Sequence, residues 1–171
     1  AATNNITRVR VRYDAWTTAN VTYQGAGAVA TNSSGNVYPA LPSGWAANDI
    51  WLCFIANRDN NVPSIASGWT SLYSVGNATS GVRTRIYWRR AVAGATAPTV
   101  THSAGLGISA VIVGYRGVVT TGSPFNINQS QFVKAPSTTN IFGNGATTTV
   151  DGNMIVLLSA TSGNGTSSNY T

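Results

Sequence analysis

Few side chains in this sequence can do covalent or acid–base chemistry, and their types narrow what that chemistry could be. There is no glutamate. The acids are Asp14, Asp49, Asp59 and Asp151, beside one histidine, His102, and one cysteine, Cys53. General acid–base catalysis needs positioned groups with tuned pKa values, and a nucleophile needs a base within hydrogen-bond reach. A Ser-His-Asp set can be drawn from His102 with any serine and any aspartate, but no nucleophile-elbow spacing accompanies it. Cys53 lies inside Ile50-Trp51-Leu52-Cys53-Phe54-Ile55, far in sequence from His102, and reads as a small buried apolar side chain. Zinc fails on ligand count. Calcium takes about six to eight oxygens, commonly with several carboxylates. The best loop for it, Asn57-Arg58-Asp59-Asn60-Asn61, supplies one. The expectation is no enzyme, no metal and no cofactor.

The prominent charged feature is of another kind. Arg8, Arg10 and Arg12 alternate within residues 6–13 (ITRVRVRY), and Arg83, Arg85 and Arg89 alternate within residues 82–90 (VRTRIYWRR). Side chains at i and i+2 of a strand share a face. Each run therefore has one basic face and one face of Val, Thr, Ile or aromatic residues. Like charges at that spacing repel unless something counters them, and more so if the two strands pair. The faces are either solvated or dock onto an acidic protein surface or a neighbouring copy.

The balance of nine arginines to one lysine favours contact, because guanidinium makes forked bonds and is enriched at interfaces. Charged residues are 8% of the chain against a usual level of about 25%, so charge repulsion does little to keep copies apart. The net charge of +6 would also draw nucleic acid, but the arginines lie on strands with no nucleic-acid motif around them. Among the tryptophans, Trp51 and Trp88 fall inside strands and read as core. Trp45 and Trp69 follow glycines at turns and read as partly exposed. A sugar platform would set Trp or Tyr beside Asp and Asn in one loop, and loop 57–61 is its only acidic candidate.

The elements that must position these groups are short. Apolar or alternating runs of five to nine residues, closed by Gly, Pro, Asn or Ser, predict strands over 6–13, 19–23, 25–30, 50–56, 69–75, 82–90, 97–101, 108–115 and 154–160. A further strand is predicted within 125–133, and 147–150 alternates weakly. Residues 32–44 and 57–67 read as loops. The unbroken apolar runs 50–56, 108–115 and 154–160 predict core strands buried on both faces. AANDIWLCFIAN and TVDGNMIVLLSAT each put an Asp in a tight turn before such a strand, as a pseudo-repeat or as a common Asp turn. At 171 residues the chain fits one domain over 1–160 whose strand 6–13 can serve as an arm. Residues 161–171 follow as a flexible tail or the start of a closing hairpin. No apolar stretch reaches the roughly 18 residues of a membrane helix, and AATNNITRV has no signal-peptide pattern.

In order, these strands resemble a group of single-domain β-sandwich proteins encoded by tailed phages. The resemblance is carried by Leu41-Pro42-Ser43-Gly44 with Asp49, by Gly68-Trp69-Thr70-Ser71-Leu72, and by Tyr87-Trp88-Arg89-Arg90-Ala91 with Ala93-Gly94. It continues through Ala97-Pro98-Thr99-Val100-Thr101 and Tyr115-Arg116-Gly117-Val118. It covers residues 41–118 well and 147–160 loosely, and the group's pattern goes on past the third core strand. It implies an all-β antiparallel two-sheet sandwich, jelly-roll-like, working in the virion as a capsid cement or decoration protein. The implied partners are the major capsid protein or other virion proteins, together with further copies of the chain. Arg8, Arg10, Arg12, Arg83, Arg85 and Arg89 are the candidate contact residues. Neither a membrane nor nucleic acid is expected as a partner. The alternatives are a carbohydrate-binding module and a tail or fibre component.

Overall fold

The computed structural model describes residues 4–11, 21–59, 61–77, 82–103, 106–126 and 153–161. These residues hold ten strands and no helix: β1 (Asn4–Val11), β2 (Thr22–Ala26), β3 (Ala30–Asn32), β4 (Ile50–Asn57), β5 (Ser64–Ile65), β6 (Thr70–Asn77), β7 (Val82–Arg90), β8 (Val100–Thr101), β9 (Ile108–Arg116) and β10 (Met154–Thr161). The predicted strand within 125–133 falls mostly outside the described residues. Residues 147–150 and 162–171, Arg12, Asp14, Trp16 and Asp151 lie wholly outside them.

The longest apolar run forms the central strand of the largest sheet among the described residues. β4 pairs antiparallel with β7 on one side and β9 on the other. β2 and β3 both pair with β9, and β6 pairs with β7, completing a six-stranded sheet. A central strand buried on both faces is apolar along its length, and β4 is buried at all but Ala56, with the polar Asn57 only at its end. One face presents Ile50, Leu52, Phe54, Ile86, Val113 and Tyr115 to Val21, Val118, Phe125 and Val156. The other presents Trp51, Cys53, Ile55, Tyr87, Ala110 and Ile112 to Val37, Ala91 and Val100, with Trp45 and Trp69 at its margin.

Each face has its own cover. β1 and β10 form a separate antiparallel pair, and Met154, Val156, Leu158 and Ala160 of β10 pack against the first face. The protein is thus all-β, with two sheets packed together. The opposite face lies under loops and the short β5–β8 pair.

The expectation of burial on both faces holds for β4 and fails for β10. Ile155 is 52% exposed, while Val156 beside it is 5% exposed. The physical reason is position: β10 belongs to the thin covering sheet, and only one of its faces meets the six-stranded sheet. Strands expected over 19–23 and 25–30 are instead β2 and β3, with a register shift between Tyr23 and Gly25. Between them the chain passes so close to residue 40 that a Cβ on Gly27 would overlap the Ala40 carbonyl oxygen. The polar connection 57–67 hides β5, two residues whose pairing comes from β8 and leaves no periodicity to read.

Candidate functional site

Loop 57–61 leaves the sheet at the end of β4. Asn57, 2% exposed, closes it by donating from Nδ2 to the Asp59 carbonyl (3.1 Å), Asp59 Oδ1 (2.7 Å) and the Asn61 carbonyl (2.9 Å). The Asn61 amide donates to Asp59 Oδ1 at 2.9 Å, and the Leu106 amide donates to Oδ2 at 3.0 Å. His102 comes in from the chain after β8, its Nε2 3.2 Å from Asp59 Oδ1. Its own amide donates to Asn36 Oδ1 at 3.3 Å.

Burial alone would raise the Asp59 pKa. The hydrogen bonds from Leu106, His102, Asn57 and Asn61 together outweigh it and hold the carboxyl below the usual range. An ionised Asp59 makes Nε2 the protonated ring nitrogen. Nδ1 is then a buried acceptor without a hydrogen-bond partner. The arrangement staples three loops together. Its carboxylate is filled by donors, and the histidine side chain is fully buried, with no hydroxyl of the described residues bonded to it. Among the described residues no three His, Cys, Asp or Glu side chains converge. Beside the staple, a groove of about 230 Å³ opens between Asn32, Arg58, Gly107 and Ser109. The aspartate–histidine pairing was not legible in the sequence, because 43 residues separate its partners.

The other described carboxylate is also engaged. Asp49, 2% exposed, receives Arg116 Nε at 2.8 Å and Nη2 at 2.7 Å, and its Oδ2 accepts the Ala46 amide at 2.8 Å. Arg116 Nη2 also donates to the Gly44 carbonyl at 3.0 Å. The bond to Asp49 raises the Arg116 pKa, so this cation is permanent. Two pieces of the sequence pattern, 41–49 and 115–118, therefore meet in one forked ion pair. A third piece, Gly68-Trp69, reaches Trp51: the rings of Trp51 and Trp69 stack at 6.3 Å, and Trp45 meets Trp51 edge-on at 5.0 Å. Trp51 is buried, with Trp45 and Trp69 partly exposed, as their sequence positions predict. These rings sit six residues up β4 from Asn57, roughly 20 Å at strand rise. They do not share a loop with Asp59.

Of the candidate contact residues, Arg83, Arg85 and Arg89 stand on one face of β7 with Tyr87, opposite Asn57, Ile55 and Trp51 of β4. All three are partly exposed. Arg85 Nη1 donates to the Pro63 carbonyl at 2.8 Å, and its guanidinium lies 5.1 Å over the Tyr87 ring. Burial pushes the Tyr87 phenol up in pKa, against the opposing pull of Arg85. Neither described carboxylate pairs with these arginines. Arg8 and Arg10 occupy β1 at the register positions opposite Leu157 and Ile155 of β10. β1 pairs with β10, so the two arginine runs are not on adjacent strands. Arg90 points to the other face of β7 and ties down the chain after β9 through the carbonyls of Val119 (2.6 Å) and Gly122 (3.3 Å).

No protein-family model, no curated protein and no solved structure matches this chain.

Proposed function

We infer that this chain is a non-enzymatic structural protein of a tailed-phage virion, a cement or decoration protein that binds and stabilises the head surface. In this reading the six-stranded sheet and the β1–β10 sheet are parts of a jelly-roll-like sandwich, and several copies act together on the particle. One observation carries the reading. Arg83, Arg85 and Arg89 form a partly exposed basic row, and both described carboxylates are engaged elsewhere by Arg116 and His102. Among the described residues no carboxylate neutralises this row, although Arg85 also donates to the Pro63 carbonyl, and in this reading its charge meets an external anionic surface. Some residues of the phage-like pattern hold the scaffold together: Asp49 pairs with Arg116, and Trp69 stacks on the core Trp51. This suits a pattern that preserves a scaffold.

The test is the copy number of the chain in purified particles. Hundreds per particle support the head assignment, and a dozen or fewer move the protein to the tail. Absence from the particle overturns the reading. Neutralising Arg8, Arg10 and Arg12 together is expected to weaken particle binding and flatten its salt dependence, because in this reading they carry part of a charged contact and salt screens such contacts over about 10 Å at 0.1 M. Glycan-array binding by the isolated monomer would favour a carbohydrate-binding module instead.

A further inference from the structure

β6 is the outer strand of the six-stranded sheet on the β7 side, and no strand lies beyond it among the described residues. Its sequence, TSLYSVGN, has no charged residue and no proline. Those are the usual devices that keep an edge from pairing with another chain, since the outward row of N–H and C=O groups is a template for one. Its single irregularity is the register shift between Ser71 and Tyr73.

What lies on the flank of this edge gives it a chemistry. Cross-strand partners share a face. The register sets Ser71 beside Tyr87, Ser74 beside Arg85 and Gly76 beside Arg83. The guanidinium of Arg89 lies over the turn that leads into β6, 3.7 Å from where a Cβ on Gly68 would stand. On this face Ser74 and Gly76 are what separate Arg85 and Arg83 from the outer edge of β6, while Trp69 packs on the same face just before the strand. Arg83 and Arg85 each keep a buried Nε with no hydrogen-bond partner.

We propose that the β6 edge accepts an extended acidic segment of a partner protein as an added strand. Carboxylates at alternate positions of that segment reach back over Ser74 and Gly76 to Arg85 and Arg83, and one more meets Arg89. This rests on the reading of the β7 arginines as a docking surface and names what docks there. The dimensions agree. Neighbouring strands lie about 4.8 Å apart, which sets the added strand roughly 10 Å from β7, within the combined span of an arginine and a glutamate. Alternate side chains of any strand repeat at about 7 Å, which is also the spacing from Arg83 to Arg85. A nucleic acid offers negative charge but no row of groups to pair with β6. An extended peptide offers both, its main chain supplying affinity and its side chains specificity.

The test titrates the full chain, by fluorescence anisotropy, with four labelled probes. These are a peptide of alternating Glu and Thr, the same composition with its glutamates in one block, the alternating peptide N-methylated at every second amide, and a single-stranded oligonucleotide of equal charge. The alternating peptide is expected to bind about tenfold or more tighter than each of the other three. The triple variant R83Q/R85Q/R89Q and the single variant S74F are each expected to weaken it by about tenfold. Ser74 is exposed, so S74F fills the space over β6 without touching the core, and it carries the test alone if the triple variant does not fold. Equal binding of the alternating and block peptides, retention by the N-methylated peptide, tighter binding of the oligonucleotide, or no effect of S74F overturns the proposal. Peptide binding by a chain absent from particles keeps the added strand and removes the virion reading. Particle occupancy without peptide binding does the reverse.

Discussion

Thr84 sits inside the six-stranded sheet with no exposed surface, between Ala56 of β4 and Val75 of β6, and its hydroxyl has no hydrogen-bond partner. A buried hydroxyl left unpaired costs about 1–3 kcal/mol on protein mutational scales. Thr84→Val exchanges that hydroxyl for a methyl of similar size and keeps the β-branched shape that strands favour. The expected result is stabilisation by about 1–2 kcal/mol. In a domain this size each kcal/mol moves the midpoint by about 2–4 °C, so Tm should rise by roughly 2–8 °C. Thr84→Ala is the control. It also removes the hydroxyl but gives up a buried methyl worth about 1 kcal/mol, so its net change should lie near zero. Both are read by equilibrium urea unfolding, where a change in midpoint at constant slope reports stability alone. If Thr84→Val is destabilising by more than about 0.5 kcal/mol, the hydroxyl has a partner, such as a buried water, and the reasoning fails.

Ile112, fully buried against β4, should not tolerate a carboxylate: Ile112→Asp is expected to unfold the domain, with loss of the cooperative melt, since an unpaired buried charge costs several kcal/mol or about that. The Cys53 thiol, its pKa pushed up to about 12 by burial, should stay unlabelled by a thiol reagent at pH 8 in the native state and react fully in denaturant; native labelling at the rate of free cysteine would contradict its place in the core. Asp59 has a folded pKa below its unfolded value, so its contribution is present above the unfolded pKa and is lost as pH falls through the folded one. Stability measured between pH 6 and pH 2 should decline from about pH 4 downward, and Asp59→Asn should flatten that limb; an unchanged acid limb would mean that the staple does not favour the ionised form.

Some of this protein could be read from its residues alone. The alternation in VRTRIYWRR placed Arg83, Arg85 and Arg89 on one face of a strand, and β7 has those bounds, because a period of two is a local property of extended backbone. The apolar run at 50–56 announced a strand with no solvent side, since each exposed position would have admitted a polar residue. The run at 154–160 is apolar too, yet Ile155 is exposed. An apolar run is also compatible with a strand in a thin covering sheet, and only the packing of the second sheet left Ile155 outside. β5 could not be read at all, because a two-residue strand is made by its partner.

The candidate sites divide the same way. Residue types told which chemistries lacked groups, since counts do not depend on folding. They could not tell that Asp59 meets His102, that Asp49 meets Arg116, or that small residues of β6 flank the arginines of β7. Those are contacts between segments far apart in the chain, set by sheet order and register. Sheet order follows from which faces bury together, a sum over the whole core that no short stretch of sequence contains.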